Sequence, residues 1–200
     1  MKTKTWMALL AAVALIALAA VALGCGDDSD NSGAGGNKTD AAFITDMTAH
    51  HQGAIEMARI AQKKAEHPEI RKLADDIIAA QEGEISGMQA ISDDMHATGQ
   101  HGGGHMGMSE AEMGMDMDPA ELDNAEPFDR AFIDAMVPHH QGAVAMAKQL
   151  ITSGEQPALR KMAQDMVDAQ TNEIAQMREW RKAWHGSAGT GGHQAMHGEG

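Results

Sequence analysis

The chain of 200 residues has one cysteine, no tyrosine and only 3% aromatic residues. A single thiol excludes a disulfide framework and leaves the folded part without a thiolate for catalysis or metal binding. Basic residues are also scarce. Removal of Lys2 and Lys4 with the N-terminal segment described below would leave 13 of the 15 basic residues against 29 acidic ones, a net charge of about −16. We therefore expect no nucleic-acid binding.

Motifs of common enzyme classes are missing as well. The chain has neither a Gly-x-Ser-x-Gly nucleophile elbow nor a phosphate-binding loop. Di-iron helical bundles use Glu-x-x-His motifs with further inward carboxylates. Here Glu84 and Glu173 each have a glutamine, not a histidine, three residues away. We therefore expect a binding protein rather than an enzyme.

The N-terminus is typical of an export signal, with two lysines before an apolar run at residues 6–23. The single Cys25 follows directly and resembles the lipidated cysteine of bacterial lipoproteins. We predict a signal peptide at residues 1–24 and a lipid anchor on Cys25. Ala22 stands where that pattern favours leucine, so plain secretion and an uncleaved anchor stay open. All three alternatives place the folded part outside the cytoplasm, in the periplasm or at the cell surface.

Segments rich in small and polar residues bound the predicted domain. Residues 25–38 are predicted to form a flexible tether. Residues 186–200 contain His193, Met196 and His197 among glycines and are predicted to form a disordered tail. The helical bundle is predicted between them, at residues 39–185.

An internal repeat dominates the bundle sequence. Alignment of residues 43–88 with residues 132–177, at a constant offset of 89, gives 21 identities in 46 positions without a gap. Each copy has signals for two helices. Asp40 is predicted to cap the first helix of copy one and Pro68 to open its second helix, while Gly154 and Pro157 mark the same break in copy two. Each copy is therefore predicted to be a helical hairpin.

Apolar residues recur at alternating steps of three and four along all four predicted helices, a spacing that faces a partner helix. The predicted seams are Phe43, Met47, His50, Ala54, Met57 and Ala61; Ile70, Ala74, Ile77, Gln81, Glu84 and Met88; Phe132, Met136, His139, Ala143, Met146 and Leu150; and Leu159, Ala163, Met166, Gln170, Glu173 and Met177. We predict an all-α fold, an antiparallel four-helix bundle of two duplicated hairpins. The long Met/His-rich crossover at residues 95–125 is expected to be disordered.

Paired histidines interrupt the first seam of each copy, at His50 and His51 and again at His139 and His140. Counted from the hairpin turns, they share a layer with glutamines and glutamates of the second helices. Such a layer can be a hydrogen-bonded network that fixes helix register, or a metal site. Since adjacent residues point about 100° apart on a helix, His50 and His139 can face the bundle axis while His51 and His140 face the neighbouring helix. One buried histidine would suffice for register, so the pairing favours a metal.

Methionines accompany the histidines. A methionine stripe at helical spacing is usually core filling, so the crossover, where exposed Met and His alternate, is the more specific signal. Thioether with imidazole suits Cu(I), and imidazole also serves Cu(II) or Zn(II). We predict copper, as Cu(I), Cu(II) or both, in preference to zinc. The candidate ligands are His50, His51, His139, His140, Met47, Met57, Met136, Met146, Glu84, Glu173, His101, His105, Met106, Met108, Met113, Met115 and Met117.

The doubled HHQGA helices, each followed by a Q-x-x-E-I-x-x-M helix, resemble the domain of unknown function 305 family over about residues 40–184. The matching residues are Met47, His50, His51, Gln52, Met57, Gln81, Glu84, Met88, Met136, His139, His140, Gln141, Met146, Gln170, Glu173, Met177 and Trp180. The resemblance implies a ferritin-like bundle in an exported bacterial protein. For some members it implies periplasmic copper binding and copper tolerance.

Together these features predict an extracytoplasmic protein that sequesters copper through Met and His ligands. Capture is expected to begin at the mobile crossover and tail, with transfer to the His/Met layer in the bundle as a further step. Two alternatives stay open. One is a metal-free exported scaffold or stress module whose His/Gln/Glu layer is only structural, and the other is a Zn or Ni buffer. The expected partners are the metal ion and a membrane reached through a lipid on Cys25. The oligomeric state is not set by the sequence.

Overall fold

The computed structural model describes residues 36–97 and 104–186, which belong to one compact unit. These ranges contain α1 (Lys38–Lys64), α2 (Pro68–Ala97), the short α3 (Pro119–Asp123), α4 (Phe128–Ser153) and α5 (Pro157–His185), and no strand. No helix in the described ranges is long and apolar enough to cross a membrane. The predicted signal peptide, the anchor at Cys25 and the predicted tail beyond Gly186 lie outside the described residues.

The two predicted hairpins form the bundle. Helix α1 packs along α2, and α4 packs along α5. The hairpins meet chiefly through α1 and α4, whereas α2 and α5 touch less extensively. The prediction of an all-α four-helix bundle built from two hairpins is therefore confirmed, with α1 and α4 at its centre.

Helix boundaries follow the local signals with one exception. Pro68 and Pro157 open α2 and α5, and Gly154 caps the end of α4. The placement of Asp40 at the start of α1 is wrong, because Asn37 is the N-cap and Asp40 lies three residues later. The two form a capping box: Asn37 accepts from the Asp40 backbone N–H, and the Asp40 carboxylate accepts from the Asn37 N–H.

Asp40 also joins the two hairpins. Its buried carboxylate accepts hydrogen bonds from the backbone N–H groups of Glu155 (3.0 Å) and Gln156 (3.3 Å), in the turn between α4 and α5. Asp129, 89 residues later, accepts from Glu66 (3.0 Å) and from the backbone of the next residue in the turn between α1 and α2. The first helix of each hairpin therefore closes the turn of the other hairpin.

The predicted seams form the core. Every seam residue is buried except Glu84 and Glu173, which are partly exposed. The buried apolar residues divide into two clusters. Met47 and Met146 belong to one cluster, and the equivalent Met136 and Met57 belong to the other. The paired histidines lie between these methionines along both α1 and α4.

The described part of the crossover is ordered, so the expectation of a disordered crossover does not hold for residues 95–97, which end α2, or for residues 104–125, which pack on the bundle. Residues 104–117, which we call the strap, include a helical turn that begins with a Ser109–Glu112 capping box. Met106 is 8% exposed, and Leu122 in α3 is fully buried. These apolar side chains anchor a segment whose glycine and acidic content alone suggests disorder.

Candidate metal centre

The structure brings all four paired histidines into one layer at mid-bundle. His50 and His51 of α1 and His140 of α4 are fully buried, and His139 is 3% exposed. This position follows from the seam spacing, because each pair occupies the helix face that packs on the neighbouring helices. The layer is thus a group of imidazoles enclosed between two apolar clusters.

Within each hairpin, one histidine bonds a glutamate of the second helix. His51 Nε2 lies 2.7 Å from Glu84 Oε2, and His140 Nε2 lies 2.7 Å from Glu173 Oε2. The two glutamate side chains are equally exposed, at 23%. The two hairpins therefore repeat the same histidine–carboxylate pair, as the offset of 89 predicts.

The other two histidines meet across the hairpin interface. The ring centroids of His50 and His139 are 3.8 Å apart. His50 Nε2 lies 3.0 Å from two backbone carbonyl oxygens, those of His139 and Met113. Because Met113 belongs to the strap, the crossover touches the histidine layer directly and makes its two halves inequivalent.

These contacts assign the ring hydrogens. Carbonyl and carboxylate oxygens accept, so Nε2 of His50, His51 and His140 must donate. In the neutral rings the lone pair is then on Nδ1. The Nδ1 atoms of all four histidines, His139 included, are buried and have no hydrogen-bond partner. Buried polar atoms are normally satisfied, so these four nitrogens in one layer are available to bind a ligand.

Burial keeps two of the rings neutral. Desolvation, followed by the charge of His51, lowers the pKa of His50 from 6.5 to about 3. Desolvation, followed by the charge of His50, lowers the pKa of His139 well below 6.5. Metal ligation requires a deprotonated imidazole nitrogen, so protons do not compete for these two rings in mild acid. The layer therefore holds imidazoles in the state that binds a metal.

Histidine and carboxylate alone do not complete a site. In residues 36–97 and 104–186, no three His, Cys, Asp or Glu side chains lie together as a ligand set for one ion. The buried methionines of α1 and α4 are the further donors on the same helices, on both sides of the layer. Thioether sulfur favours a soft ion such as Cu(I).

The predicted crossover ligands are dispersed. Met106, Met108 and Met113 pack with Met47 and Met146 in one apolar cluster, whereas Met117 packs against the other. Met115 is partly exposed, and His105 is exposed and pairs with Asp46. His101 lies outside the described residues. The strap methionines therefore extend the core instead of forming a separate exposed tract.

Several contacts at this site were not predicted from the sequence. Met113 was predicted as a thioether ligand, but it contacts His50 through its backbone oxygen, which carries no sequence signal. Gly142 lies directly under the strap, where a Cβ atom would be 1.9 Å from Met113 O. Asp46 is 7% exposed and holds the strap with both oxygens. The sequence does mark Asp46, because it is an acidic residue in an apolar stretch of α1, at a position where copy two has Ala135.

The fold and the layer define a class of protein, an antiparallel helical bundle built by duplication around buried paired histidines. Residues 40–181 match the family described as "Domain of unknown function (DUF305)", and the chain belongs to this family. The predicted family and its ferritin-like bundle are thereby confirmed.

Solved structures agree with this assignment. CopM in its Cu(I)-bound form is 41% identical to this chain, with a TM-score of 0.63 over 74% of this chain and 98% of CopM. CopM in its Cu(II)-bound form has the same identity and a TM-score of 0.61 over 73% and 98%. A family member from Streptomyces coelicolor, described as secreted, is 28% identical, with a TM-score of 0.67 over 78% and 98%. Copper binding is thus a property found in this family.

A curated relative adds only a partial match. "Uncharacterized protein L153" of Acanthamoeba polyphaga mimivirus is 33% identical over 49 residues, which are 24% of this chain and 32% of that protein. The chain therefore spans about a third of the length of this relative.

Proposed function

We propose that this chain binds copper outside the cytoplasm through Met and His ligands, without catalysing a reaction, and that it thereby contributes to copper tolerance or homeostasis. The observation that carries this proposal is the set of four buried, orphaned imidazole nitrogens. The candidate ligands nearest to them in sequence are four buried methionines, Met47, Met57, Met136 and Met146. Copper-bound forms of a relative that is 41% identical support the same chemistry.

The carboxylates suit a supporting role. Metal-ligating histidines commonly donate their second ring N–H to a carboxylate or a carbonyl, which fixes the tautomer and raises the basicity of the ligating nitrogen. Glu84 and Glu173 do this for His51 and His140, and backbone carbonyls do it for His50. In this proposal the imidazoles and thioethers bind the ion, while the glutamates orient the rings.

The metal-free scaffold explains less of this arrangement. A purely structural polar layer should satisfy its buried groups. Here the histidine Nδ1 atoms and the Oε1 atoms of Gln81 and Gln170 are all buried without partners. A register device would also not need two adjacent inward histidines on one helix.

A zinc or nickel buffer fits the donors less well than copper. Zinc sites in proteins are built from Cys, His, Asp and Glu side chains, usually four in a structural site. The described residues bring no three of these together. Buried methionines flank the histidine pairs along α1 and α4, and thioether sulfur suits a softer ion.

We also place the protein outside the cytoplasm, as a lipoprotein anchored through Cys25. Similarity to a family member that is described as a secreted protein supports export. The order of lysines, apolar run and single cysteine supports the anchor. Labelling of the expressed chain with a fatty-acid analogue tests this point: incorporation that is lost in Cys25→Ala supports the anchor, and absence of label contradicts it.

The test of copper binding removes sulfur without disturbing the packing. Met47, Met57, Met136 and Met146 are changed together to Leu, since Met and Leu have similar volumes. Anaerobic Cu(I) titration of the full chain against a competing chelator should show weaker binding in this variant. The matched control is Met88→Leu with Met177→Leu, which removes two fully buried methionines outside the candidate set. Equal Cu(I) affinity in wild type and the fourfold variant would contradict thioether ligation.

A further inference from the structure

Asp46 is a buried acid whose carboxylate is used entirely by the strap. Its Oδ1 lies 2.6 Å from His105 Nδ1, and its Oδ2 accepts from the Met106 backbone N–H at 2.7 Å. Gln149 of α4 adds a bond from Nε2 to Met106 O, at 3.3 Å. Burying a carboxylate is costly unless it is paired and hydrogen-bonded. Both carboxylate oxygens of Asp46 therefore hold this end of the strap on α1.

The contact with Asp46 also determines how His105 presents its ring. A carboxylate accepts, so His105 Nδ1 carries the hydrogen. In the neutral ring the lone pair is then on Nε2. The His105 side chain is 81% exposed, so Nε2 faces solvent. In many metal sites a carboxylate accepts a hydrogen bond from one ring nitrogen of a histidine and so orients the other ring nitrogen toward the metal. Asp46 and His105 have this arrangement.

This orientation is opposite to that of the histidine layer. His51 and His140 donate from Nε2 and keep Nδ1 inside the bundle. His67 also donates Nδ1 to a carboxylate, but its ring is stacked on Trp184. His105 differs from His67 in that Met106 and the partly buried Met108 adjoin it in the strap. Asp46 thus bonds an exposed imidazole, and Met106 and Met108 follow that histidine closely in sequence.

We propose that Asp46 is a positioning residue for copper capture. It docks the strap on α1 and holds His105 with Nε2 toward solvent, as the first ligand that an incoming ion meets. The inference rests on the proposed copper-binding function. The sequence predicted that a mobile crossover captures the ion. In this proposal the ion instead first binds His105, which Asp46 already holds in place.

The first test measures the ring itself, without metal. Long-range proton–nitrogen NMR of the full chain should show His105 with the hydrogen on Nδ1. Asp46→Ala, which removes the acceptor, should shift the tautomer toward hydrogen on Nε2, and Asp46→Glu, which keeps a carboxylate, should restore hydrogen on Nδ1. An unchanged His105 tautomer in Asp46→Ala would overturn the proposal.

The second test measures binding. Removal of an outer-sphere partner typically weakens a metal site roughly 10- to 100-fold, so Asp46→Ala should weaken copper binding at His105 by about this factor. Copper bound at the histidine layer should be unchanged. In a His105→Ala background, Asp46→Ala should cause no further loss, because the carboxylate acts through the ring. A full additional loss in that background would contradict the proposed route.

The outcomes separate this inference from the proposed function. If the wild-type chain binds no copper, the proposed function fails. If the wild type binds copper and Asp46→Ala binds it equally well, only the positioning role fails. Urea unfolding of Asp46→Ala is measured in parallel. If the variant loses structure generally, copper affinity at the histidine layer falls together with that at His105, and this result would contradict a role limited to positioning His105.

Discussion

His50 and His139 face each other across the interface of the two hairpins, with ring centroids 3.8 Å apart. They are equivalent residues of the two copies, yet only His50 bonds the strap, through Met113 O. Two imidazoles this close and this buried cannot readily both take up a second proton and become positively charged. Burial lowers the pKa of each ring. The charge of His51 lowers the pKa of His50 further, and the charge of His50 lowers the pKa of His139 further.

The first prediction concerns stability against pH in the metal-free protein. The unfolded chain binds a proton at each histidine near pH 6.5, whereas native His50 does so only near pH 3. Stability present above pH 6.5 is therefore lost as the pH falls toward 3. We expect a loss of about 1.4 kcal/mol per pH unit for each such histidine. Urea unfolding at several pH values measures it.

A double variant isolates this contribution. His50→Leu with His139→Leu removes both groups and should give a shallower dependence of the unfolding free energy on pH between 6.5 and 3. The same slope in wild type and variant would show that other groups dominate. Binding of copper should protect the wild type in this range, because the metal binds only the native site.

The second prediction concerns the two glutamates. Glu84→Gln keeps an oxygen that accepts from His51 Nε2 but removes the charge. We expect copper affinity to fall by roughly tenfold, while the unfolding free energy changes by about 1 kcal/mol or less, since the pair is partly exposed. Glu173→Gln should behave alike. Glu82→Gln, whose partner is the exposed Arg59, is the control and should leave copper affinity unchanged. Equal effects of all three would contradict the supporting role.

The third prediction uses two equivalent glycines. A Cβ at Gly142 would lie 1.9 Å from Met113 O, whereas a Cβ at Gly53 would meet His139 Nε2 at 3.4 Å. Gly142→Ala should displace the strap and cost about 1–3 kcal/mol. Gly53→Ala should be neutral or stabilise α1 by up to about 1 kcal/mol. Urea unfolding gives the energies, and limited proteolysis within residues 104–117 reports the strap. Equal protection of the strap in both variants would argue against close packing at Gly142.

The fourth prediction concerns the turns. Asp129→Ala leaves two backbone N–H groups in the turn between α1 and α2 without their acceptor. We expect a loss of about 1–3 kcal/mol, and a loss in the same range for Asp40→Ala. Asp165→Ala removes an exposed partner of Lys161 and should cost less than about 0.5 kcal/mol. If all three variants unfold at the same urea concentration, the two buried aspartates do not hold the hairpins together.

Much of the fold could be predicted because periodicity encodes burial. Alternating steps of three and four mark one face of a helix, and the duplication doubles the signal. Asp40 was misplaced because Asn37 supplies an equally good cap one turn earlier. The strap was missed because composition describes average behaviour, whereas Met106 and Leu122 fix a glycine-rich segment through a few specific contacts.

The histidine layer could also be predicted, from adjacent histidines inside an apolar seam. The asymmetry of this layer could not be predicted from the sequence. The bond from His50 goes to a backbone carbonyl of Met113, and any residue would offer that oxygen. The pairing of Asp46 with His105 joins residues 59 apart in sequence, and only the position of the strap brings them together.

X-ray absorption spectroscopy of the full chain, loaded anaerobically with one equivalent of Cu(I), tests the central claim most directly. Binding by the proposed ligands predicts both sulfur and imidazole nitrogen in the first coordination shell of copper. The imidazole signal should fall when His50, His51, His139 and His140 are all replaced by Gln. A spectrum with neither sulfur nor imidazole around copper in the wild-type chain would contradict the proposed function.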